Sequence, residues 1–265
     1  MNFFEYEFIR NAFIGGFLLS IISSLIGTFI VLRRLVLATG GISHSAFGGI
    51  GLGFLLGVDP VLGALLFSVL SSLLIGFITK KTRLPEDISI SIIWAFGMAL
   101  GVIFTSFSGK YVPELLSYLF GNILLISNRD ILFMLIFSAF LILFFSLFGR
   151  ELFILSFDED FGKTLGIRGD LFYFLFLSLV GVSVILLMRA VGIILVIALL
   201  SIPTSISIGM ARSLRGVIFL SFAFSLFFIF SGLILSIIFD LPSGAFIIIL
   251  SSFTFFLLRL FSGRR

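Results

Sequence analysis

Long runs of apolar residues, separated by short polar stretches, make up most of the chain. A bilayer core about 30 Å thick is crossed by roughly 20 apolar residues in a helix. Backbone groups in lipid must be hydrogen-bonded within their own segment, so such runs are expected to be helical. The pattern predicts nine spans, over residues 11–32, 42–57, 60–79, 88–107, 130–149, 171–188, 190–208, 216–238 and 243–261.

Two of these predicted spans are weaker than the others. Residues 42–57 are few and rich in glycine, and residues 190–208 contain Pro203. Either segment could be a half-helix or a broken helix that lines a cavity. We therefore expect an all-α, polytopic integral membrane helical bundle of about eight or nine transmembrane helices, forming a single transmembrane domain over residues 1–265.

The composition agrees with a membrane protein. Hydrophobic residues make up 60% of the chain and charged residues 11%, whereas a soluble domain carries about 25% charged residues. The chain has no cysteine, which excludes disulfides and thiolate metal sites. The net charge of +4 does not indicate a nucleic-acid partner, because the basic residues lie between the predicted spans. We expect membrane lipid, and no nucleic acid, around this protein.

The basic residues also predict an orientation, because Lys and Arg accumulate in cytoplasmic loops. Nine spans with the N-terminus outside and the C-terminus in the cytoplasm place 13 of the 17 basic residues inside the cell. The exceptions, which would lie outside, are Arg10, Lys110, Arg129 and Arg189. The expected location is therefore the cell (inner or plasma) membrane.

Two predicted connections are too long to be simple turns. Residues 108–129 fall outside and contain an apolar stretch that could lie along or dip into the membrane surface. Residues 150–170 fall inside, where Asp158 can serve as an N-cap and Gly166 stands where a helix would stop. Apolar residues recur there every four positions: Phe157, Phe161 and Leu165. This pattern predicts a short amphipathic cytoplasmic helix, at about 157–168, whose apolar row needs a partner.

The only histidine of the chain, His44, lies in the glycine-rich second span. At 100° per residue one face carries His44, Gly48, Gly51 and Leu55, and the opposite face carries Gly49, Gly53 and Gly57. Glycines four residues apart allow another helix to approach closely, so the second row is predicted to pack. The glycines beside His44 could instead leave space for a substrate.

His44 itself has two interpretations. It could donate a hydrogen bond to a neighbouring helix and hold the two together. Alternatively it could contact a passing ion, because ionisable residues within spans usually mark ion paths and imidazole favours zinc, manganese and iron. Three acidic residues at the outer ends of spans could meet a cation first, or could be solvated loop residues: Asp59, Glu114 and Asp240.

Motifs for bond-breaking chemistry are absent from the sequence. It contains no GxxxxGK[ST] phosphate loop, no HExxH and no GxSxG, so neither ATP hydrolysis nor hydrolase chemistry is expected of this chain. An intramembrane enzyme is disfavoured because the spans contain one histidine and no carboxylate beside it. Any transport driven by ATP must therefore draw on a separate subunit.

Six segments, in order, resemble the membrane permease subunits of the ABC-3 family of zinc, manganese and iron importers. They are RRLVLATGGISHSAFGGIGLGFLLGVDP (33–60), PEDISISIIWAFGMALGVIF (85–104), YLFGNILLISNRDI (118–131), FDEDFGKTLGIR (157–168), GIILVIALLSIPTSISIGMARSLR (192–215) and FDLPSGAFIII (239–249). The resemblance covers nearly the whole chain.

The resemblance implies a homodimeric permease with the path between protomers. It implies two partners, a cytosolic ABC ATPase and an extracytoplasmic metal-binding protein that meets the acidic outer loops. The segment 157–168 would be the coupling helix, with Asp158, Phe161, Leu165 and Gly166 at the ATPase contact. No cofactor is expected to be permanently bound, and the transported ion would be divalent zinc or manganese, or iron.

The family's second span carries a histidine proposed to contact the metal, and the matching residue is His44. Many members have an aspartate four residues earlier, where this sequence has Gly40. This departure leaves open a permease for a metal chelate, such as a siderophore or corrinoid. A non-ABC membrane channel is a further alternative, although a channel would not need the helix at 157–168.

Overall fold

The computed structural model describes residues 6–82, 84–109 and 121–262, and within them every regular element is helical. The α-helices are α1 Glu7–Leu32, α2 Val36–Leu56, α3 Pro60–Thr82, α4 Glu86–Ser108, α5 Asn128–Phe157, α6 Glu159–Thr164, α7 Gly169–Val191, α8 Ile193–Met210, α9 Leu214–Phe239 and α10 Ser243–Ser262. A short 3₁₀ turn, Ile123–Leu125, precedes α5. The predicted all-helical bundle is confirmed.

Each predicted span coincides with a long helix. Among the described residues, the helices that are long and apolar enough to cross a membrane by length and composition are α1, α3, α4, α5, α7, α8 and α9. Helix α10 supplies a shorter apolar stretch, Ser243–Arg259. Helix α2 has 21 residues, about 31 Å at 1.5 Å per residue, but its glycines, serines and His44 make it less apolar.

Three boundaries or shapes differ from the prediction. Helix α2 begins at Val36 rather than at residue 42. Helix α5 continues to Phe157, so Glu151 lies within a helix and not in a loop. Helix α8 is unbroken through Pro203, and the Ser207 hydroxyl donates to the Pro203 carbonyl at 2.7 Å. The half-helix interpretation of both weak spans is therefore wrong for this structure.

Helix α1 forms the centre of the bundle. It is the most buried of the membrane-length helices and packs against α5, α7, α8 and α9. Phe29 stacks on Phe145 of α5, with ring centroids 4.9 Å apart. Gly27 lets α1 approach α8 so closely that an added Cβ would strike the Leu200 carbonyl oxygen. Helix α1 is therefore the common packing partner of four other helices.

One glycine row of α2 lies directly against the backbone of α3. A Cβ at Gly49 would overlap the Gly63 carbonyl, and one at Gly53 would lie 2.6 Å from Cα of Pro60. Gly57 differs, because no described atom lies within 4 Å of its Cβ position and its φ is +69°. The packing role predicted for Gly57 is wrong; this residue ends α2 in a left-handed conformation that glycine tolerates best.

The other glycine row of α2 lies against α4. A Cβ at Gly51 would lie 2.6 Å from the Gly101 carbonyl oxygen. One at Gly48 would lie 3.0 Å from the Gly97 carbonyl oxygen and 2.6 Å from the Phe67 ring of α3. Both rows are therefore filled by neighbouring helices. The prediction of open space on the histidine side of α2 is wrong at these two positions, because the α4 backbone and the Phe67 ring occupy it.

Replacement of Gly49 by alanine should destabilise the protein, because the new methyl group meets backbone that cannot rotate away. We expect a cost at the upper end of the ~1–3 kcal/mol typical of overpacked sites, measured by thermal unfolding in detergent. Gly209→Ala is the matched control, since no described atom lies within 4 Å of its Cβ position. Equal melting temperatures for the two variants would contradict the proposed backbone contact.

Candidate functional site

His44 stacks on the only tryptophan of the chain. The imidazole and the Trp94 indole of α4 are nearly parallel, with an interplanar angle of 9° and centroids 4.4 Å apart. The indole Nε1 donates to the Met98 sulfur at 3.2 Å. Nδ1 of His44 is buried and has no hydrogen-bond partner among the described residues. The ring is therefore held in orientation by stacking, while a ring nitrogen keeps an unused lone pair or proton.

The position four residues before His44 faces an apolar side chain. Gly40 is buried, and a Cβ added there would lie 3.2 Å from Cδ1 of Ile197 on α8. Ile197 thus lies where an aspartate at position 40 would place its side chain. An aromatic ring therefore lies against His44, and an aliphatic side chain lies against the position four residues earlier.

Two of the three acidic residues predicted to meet a cation at the outer ends of spans, Asp59 and Asp240, lie within the described residues. Asp59 is exposed and caps the start of α3, where the Val61 N–H donates to its Oδ1 at 2.9 Å. Asp240 ends α9 with φ 52° and lies at a cavity of about 710 Å³. Glu114 lies outside the described residues. Within the described ranges no three His, Cys, Asp or Glu side chains form a group that could hold a metal ion.

The cytoplasmic helix predicted at 157–168 is shorter in the structure, where α6 covers Glu159–Thr164 because α5 continues to Phe157. Both ends of α6 carry the expected signals. The Phe161 N–H donates to Asp158 Oδ1 at 2.9 Å, and Gly166 follows the helix with φ +77°. Lys163 donates to Asp160 and thereby lowers the pKa of that exposed carboxyl. The whole apolar row predicted here is exposed in the chain: Phe157 is 67% exposed, Phe161 53% and Leu165 53%.

A polar cluster joins α6 to the helices beneath it. Lys80, at the end of α3, forms ion pairs with Glu159 of α6 and with Asp170 of α7. Its ammonium also lies over the Tyr173 ring, 4.9 Å from the centroid. The Tyr173 hydroxyl donates to Glu86 of α4 at 2.7 Å. Side-chain contacts thus link α6 to the ends of three long helices, α3, α4 and α7.

Arg33, which follows α1, completes this cluster. Its Nε donates to Ser156 of α5 at 3.2 Å, and its guanidinium lies 5.8 Å from the centroids of Tyr173 and of Phe176. Burial lowers the pKa of the Arg33 guanidinium, and neighbouring acidic groups oppose the shift. From the sequence, Arg33 is predicted to lie in a cytoplasmic loop, but its partners could not be predicted.

At the opposite end of the bundle lies an ion pair that the sequence analysis missed. Asp130, at the start of α5, accepts from Arg189 Nε of α7 at 3.0 Å, and its side chain is only 8% exposed. Asp130 also completes a capping box with Ser127. Asn11 of α1 donates to Asn128 Oδ1 at 2.9 Å. The S-x-x-D spacing of Ser127 and Asp130 was the one available signal.

Comparisons with known proteins identify the chain. A model of the ABC 3 transport family matches residues 5–262. The manganese transport system membrane protein MntC of Listeria monocytogenes is 34% identical, over 98% of this chain and 93% of MntC. The manganese import system permease protein ScaB of Streptococcus gordonii is 30% identical, over 95% of this chain and 90% of ScaB.

A solved structure has the same fold. PsaBC from Streptococcus pneumoniae, determined in complex with a Fab, superposes with a TM-score of 0.84 and 31% sequence identity, covering 96% of this chain and 91% of that chain. The helices and these similarities together define a multi-pass membrane protein of the transport class. The chain belongs to the ABC 3 transport family, which confirms the resemblance drawn from the sequence.

Loss of the Asp130 carboxylate should leave Arg189 without its buried partner. Removal of one member of a fully buried ion pair typically costs about 3–5 kcal/mol. The Arg189 side chain is 35% exposed, so Asp130→Asn should cost less than this and still lower the unfolding temperature in detergent. Asp160→Asn is the control, because its side chain is 91% exposed beside Lys163 and no measurable change is expected there. An Asp130→Asn protein as stable as the wild type would show that the pair adds nothing.

Proposed function

We propose that this chain is the membrane permease subunit of an ABC importer for divalent metal ions, with manganese as the first substrate to test. The observation that carries the proposal is the near-full-length identity of 30–34% to MntC and ScaB, both named for manganese. Zinc remains the second candidate and iron the third. Residues 1–265 would act as one transmembrane permease domain.

ATP hydrolysis belongs to a separate subunit in this proposal. An exposed apolar row supports it, formed by Phe157 at the end of α5, Phe161 of α6 and Leu165 just after α6. An apolar surface beside charged residues is typical of a protein interface. The row would insert into a cytosolic ABC ATPase, and the Lys80 cluster would carry its movement to α3, α4 and α7. Helix α3 packs directly on α2, so the movement can reach the helix that carries His44.

The surrounding assembly follows from the same proposal. Two copies would form the translocation path between them, and an extracytoplasmic metal-binding protein would deliver the ion near Asp59, Glu114 and Asp240. The N-terminus would lie outside and the C-terminus in the cytoplasm. The positive-inside rule supports this orientation. The ends of α1, α3 and α5 meet at one end of the bundle, and the basic residues Arg33 and Lys80 lie there.

His44 would contact the ion transiently during alternating access. One imidazole is too few ligands for a tight site, because closed sites take four. Weak binding suits transport, since the ion must also leave. The unpartnered Nδ1 and the stacking on Trp94 support a ring that is oriented without being committed to another group.

His44→Ala should lower manganese uptake into cells or vesicles that contain the complete transporter. We expect a fall of about tenfold, which corresponds to ~1.4 kcal/mol of lost interaction. Ser45→Ala is the neighbouring control, because the Ser45 hydroxyl bonds only to the carbonyl of Ile42 in its own helix. Unchanged uptake in His44→Ala, at equal protein levels, would count against a ligand role.

Phe161→Asp should abolish binding of the ATPase subunit and uptake together. The side chain is exposed, so the folded permease should be purified in normal yield while an aspartate at the apolar contact prevents docking. Co-purification of the tagged permease with its ATPase measures this directly. Arg212→Asp introduces the same side chain in another predicted cytoplasmic loop and should retain the ATPase. A Phe161→Asp complex that still forms and transports would refute the coupling assignment.

Import of a metal chelate is the second candidate function. The apolar side chain of Ile197 beside Gly40 favours it, because this chain lacks the carboxylate expected for a bare ion. Uptake of free manganese, zinc and iron compared with a ferric siderophore in the same vesicles separates the two functions. Transport of the chelate alone would overturn the metal-ion proposal.

A further inference from the structure

An apolar groove runs along the outside of the bundle between α5 and α9. Both helices pack against α1, but in the part of the chain that the structure describes they make no extensive contact with each other. Leu25 and Phe29 of α1 form the floor of the gap, and Phe145 of α5 and Ile218 of α9 form its walls. The resulting cavity has a volume of about 620 Å³.

Small residues on α5 keep this groove open. Gly149 lines it, and no described atom lies within 4 Å of the position that its Cβ would occupy. Gly49, Gly51 and Gly53 of α2 lie against neighbouring backbone, whereas no described atom lies near the Cβ position of Gly149. The missing side chain therefore creates volume here and does not serve helix packing.

The groove has the length of one bilayer leaflet. Its lining on α5 extends from Ile142 to Phe153, which spans about 16 Å at 1.5 Å per residue. A hydrocarbon core of about 30 Å gives each leaflet about 15 Å. An acyl chain lying parallel to α5 would be covered along its full length in one leaflet.

Positive charge is concentrated at one end of the groove. Arg150 of α5 and Arg215 of α9 line it there, and neither forms a salt bridge with any residue that the structure describes. The start of α9 lines the same end, and helix N-termini favour anionic groups. This end lies beside the last turn of α5, close to Ser156 and the Arg33 cluster.

We propose that this groove binds one anionic phospholipid, with an acyl chain along α5 and the phosphate at Arg150 and Arg215. Basic pockets between membrane helices on the cytoplasmic side are known to select anionic headgroups. The occupant is a lipid and not a soluble phosphate, because most of the lining is apolar and would stay exposed beneath a free anion. None of the residues that line the groove lies on α2, the helix that carries His44.

The test uses the purified full-length chain in nanodiscs that contain phosphatidylglycerol and phosphatidylcholine in equal amounts, with identical acyl chains. Native mass spectrometry after release measures how many molecules of each lipid remain bound. The wild type should retain phosphatidylglycerol preferentially. Each arginine near a charged surface contributes a factor of about five, so Arg150→Gln and Arg215→Gln should each lower this preference about fivefold.

Two further variants separate the groove from general charge effects. Gly149→Leu should remove the retained lipid because it fills the groove, and it should fold normally because its side chain enters open space. Arg212→Gln removes an exposed cation close to α9 that does not line the groove, so the preference should be unchanged. Equal retention of both lipids by the wild type, or full retention by Gly149→Leu, would overturn the proposal.

Another occupant would also be detected. Ser146, which is exposed on α5 and lines the groove, can be replaced by cysteine in this cysteine-free chain. A disulfide-linked dimer formed by Ser146→Cys in native membranes would show that a second copy covers the groove, and would overturn the lipid site. Labelling of Ser146→Cys by a membrane-soluble maleimide, with competition by added phosphatidylglycerol, would support it. Because none of these measurements requires transport, failure here leaves the proposed function untouched.

Discussion

Backbone-to-backbone contact of helix α2 is the constraint on which the rest of the structure depends. This helix has few large side chains, and its two glycine rows lie against α3 and α4 so closely that a single methyl group at Gly49 would overlap a carbonyl. In lipid, helices gain little from hiding apolar surface from one another, and close packing of small residues replaces that driving force. The close packing of α2 on α4 also places the His44 ring against Trp94 of α4.

Charged groups at the two ends of the bundle complement this apolar packing. Ionisable side chains are costly within the hydrocarbon region and are tolerated where partners or water are available. Lys80 therefore collects Glu159 and Asp170 at one end, while Asp130 and Arg189 pair at the other. These clusters tie together helices that are far apart in the sequence. The bundle is thus joined by ion pairs near both of its ends.

Membership of a metal-transport family and the surroundings of His44 have to be considered together. The chain shares close to a third of its residues with proteins named for manganese transport. Nevertheless, Trp94 covers the imidazole and Ile197 faces position 40, where many family members have an aspartate. A transported ion needs contacts that are weak enough to be broken in each cycle. A single oriented ring, supplied by each of two copies, would meet that requirement without a permanently charged site.

The sequence by itself determined the helical class, the positions of the spans, the α6 segment and the family. Each of these depends on local properties: hydropathy over about 20 residues, capping residues such as Asp158, and short ordered motifs. Only the tertiary structure decided that α8 continues through Pro203, that both glycine rows of α2 are filled, that Gly57 does not pack, and that Asp130 pairs with Arg189. These features depend on which helices meet in space. The apolar pattern does not identify the partners of a helix, because most faces of a membrane helix are apolar.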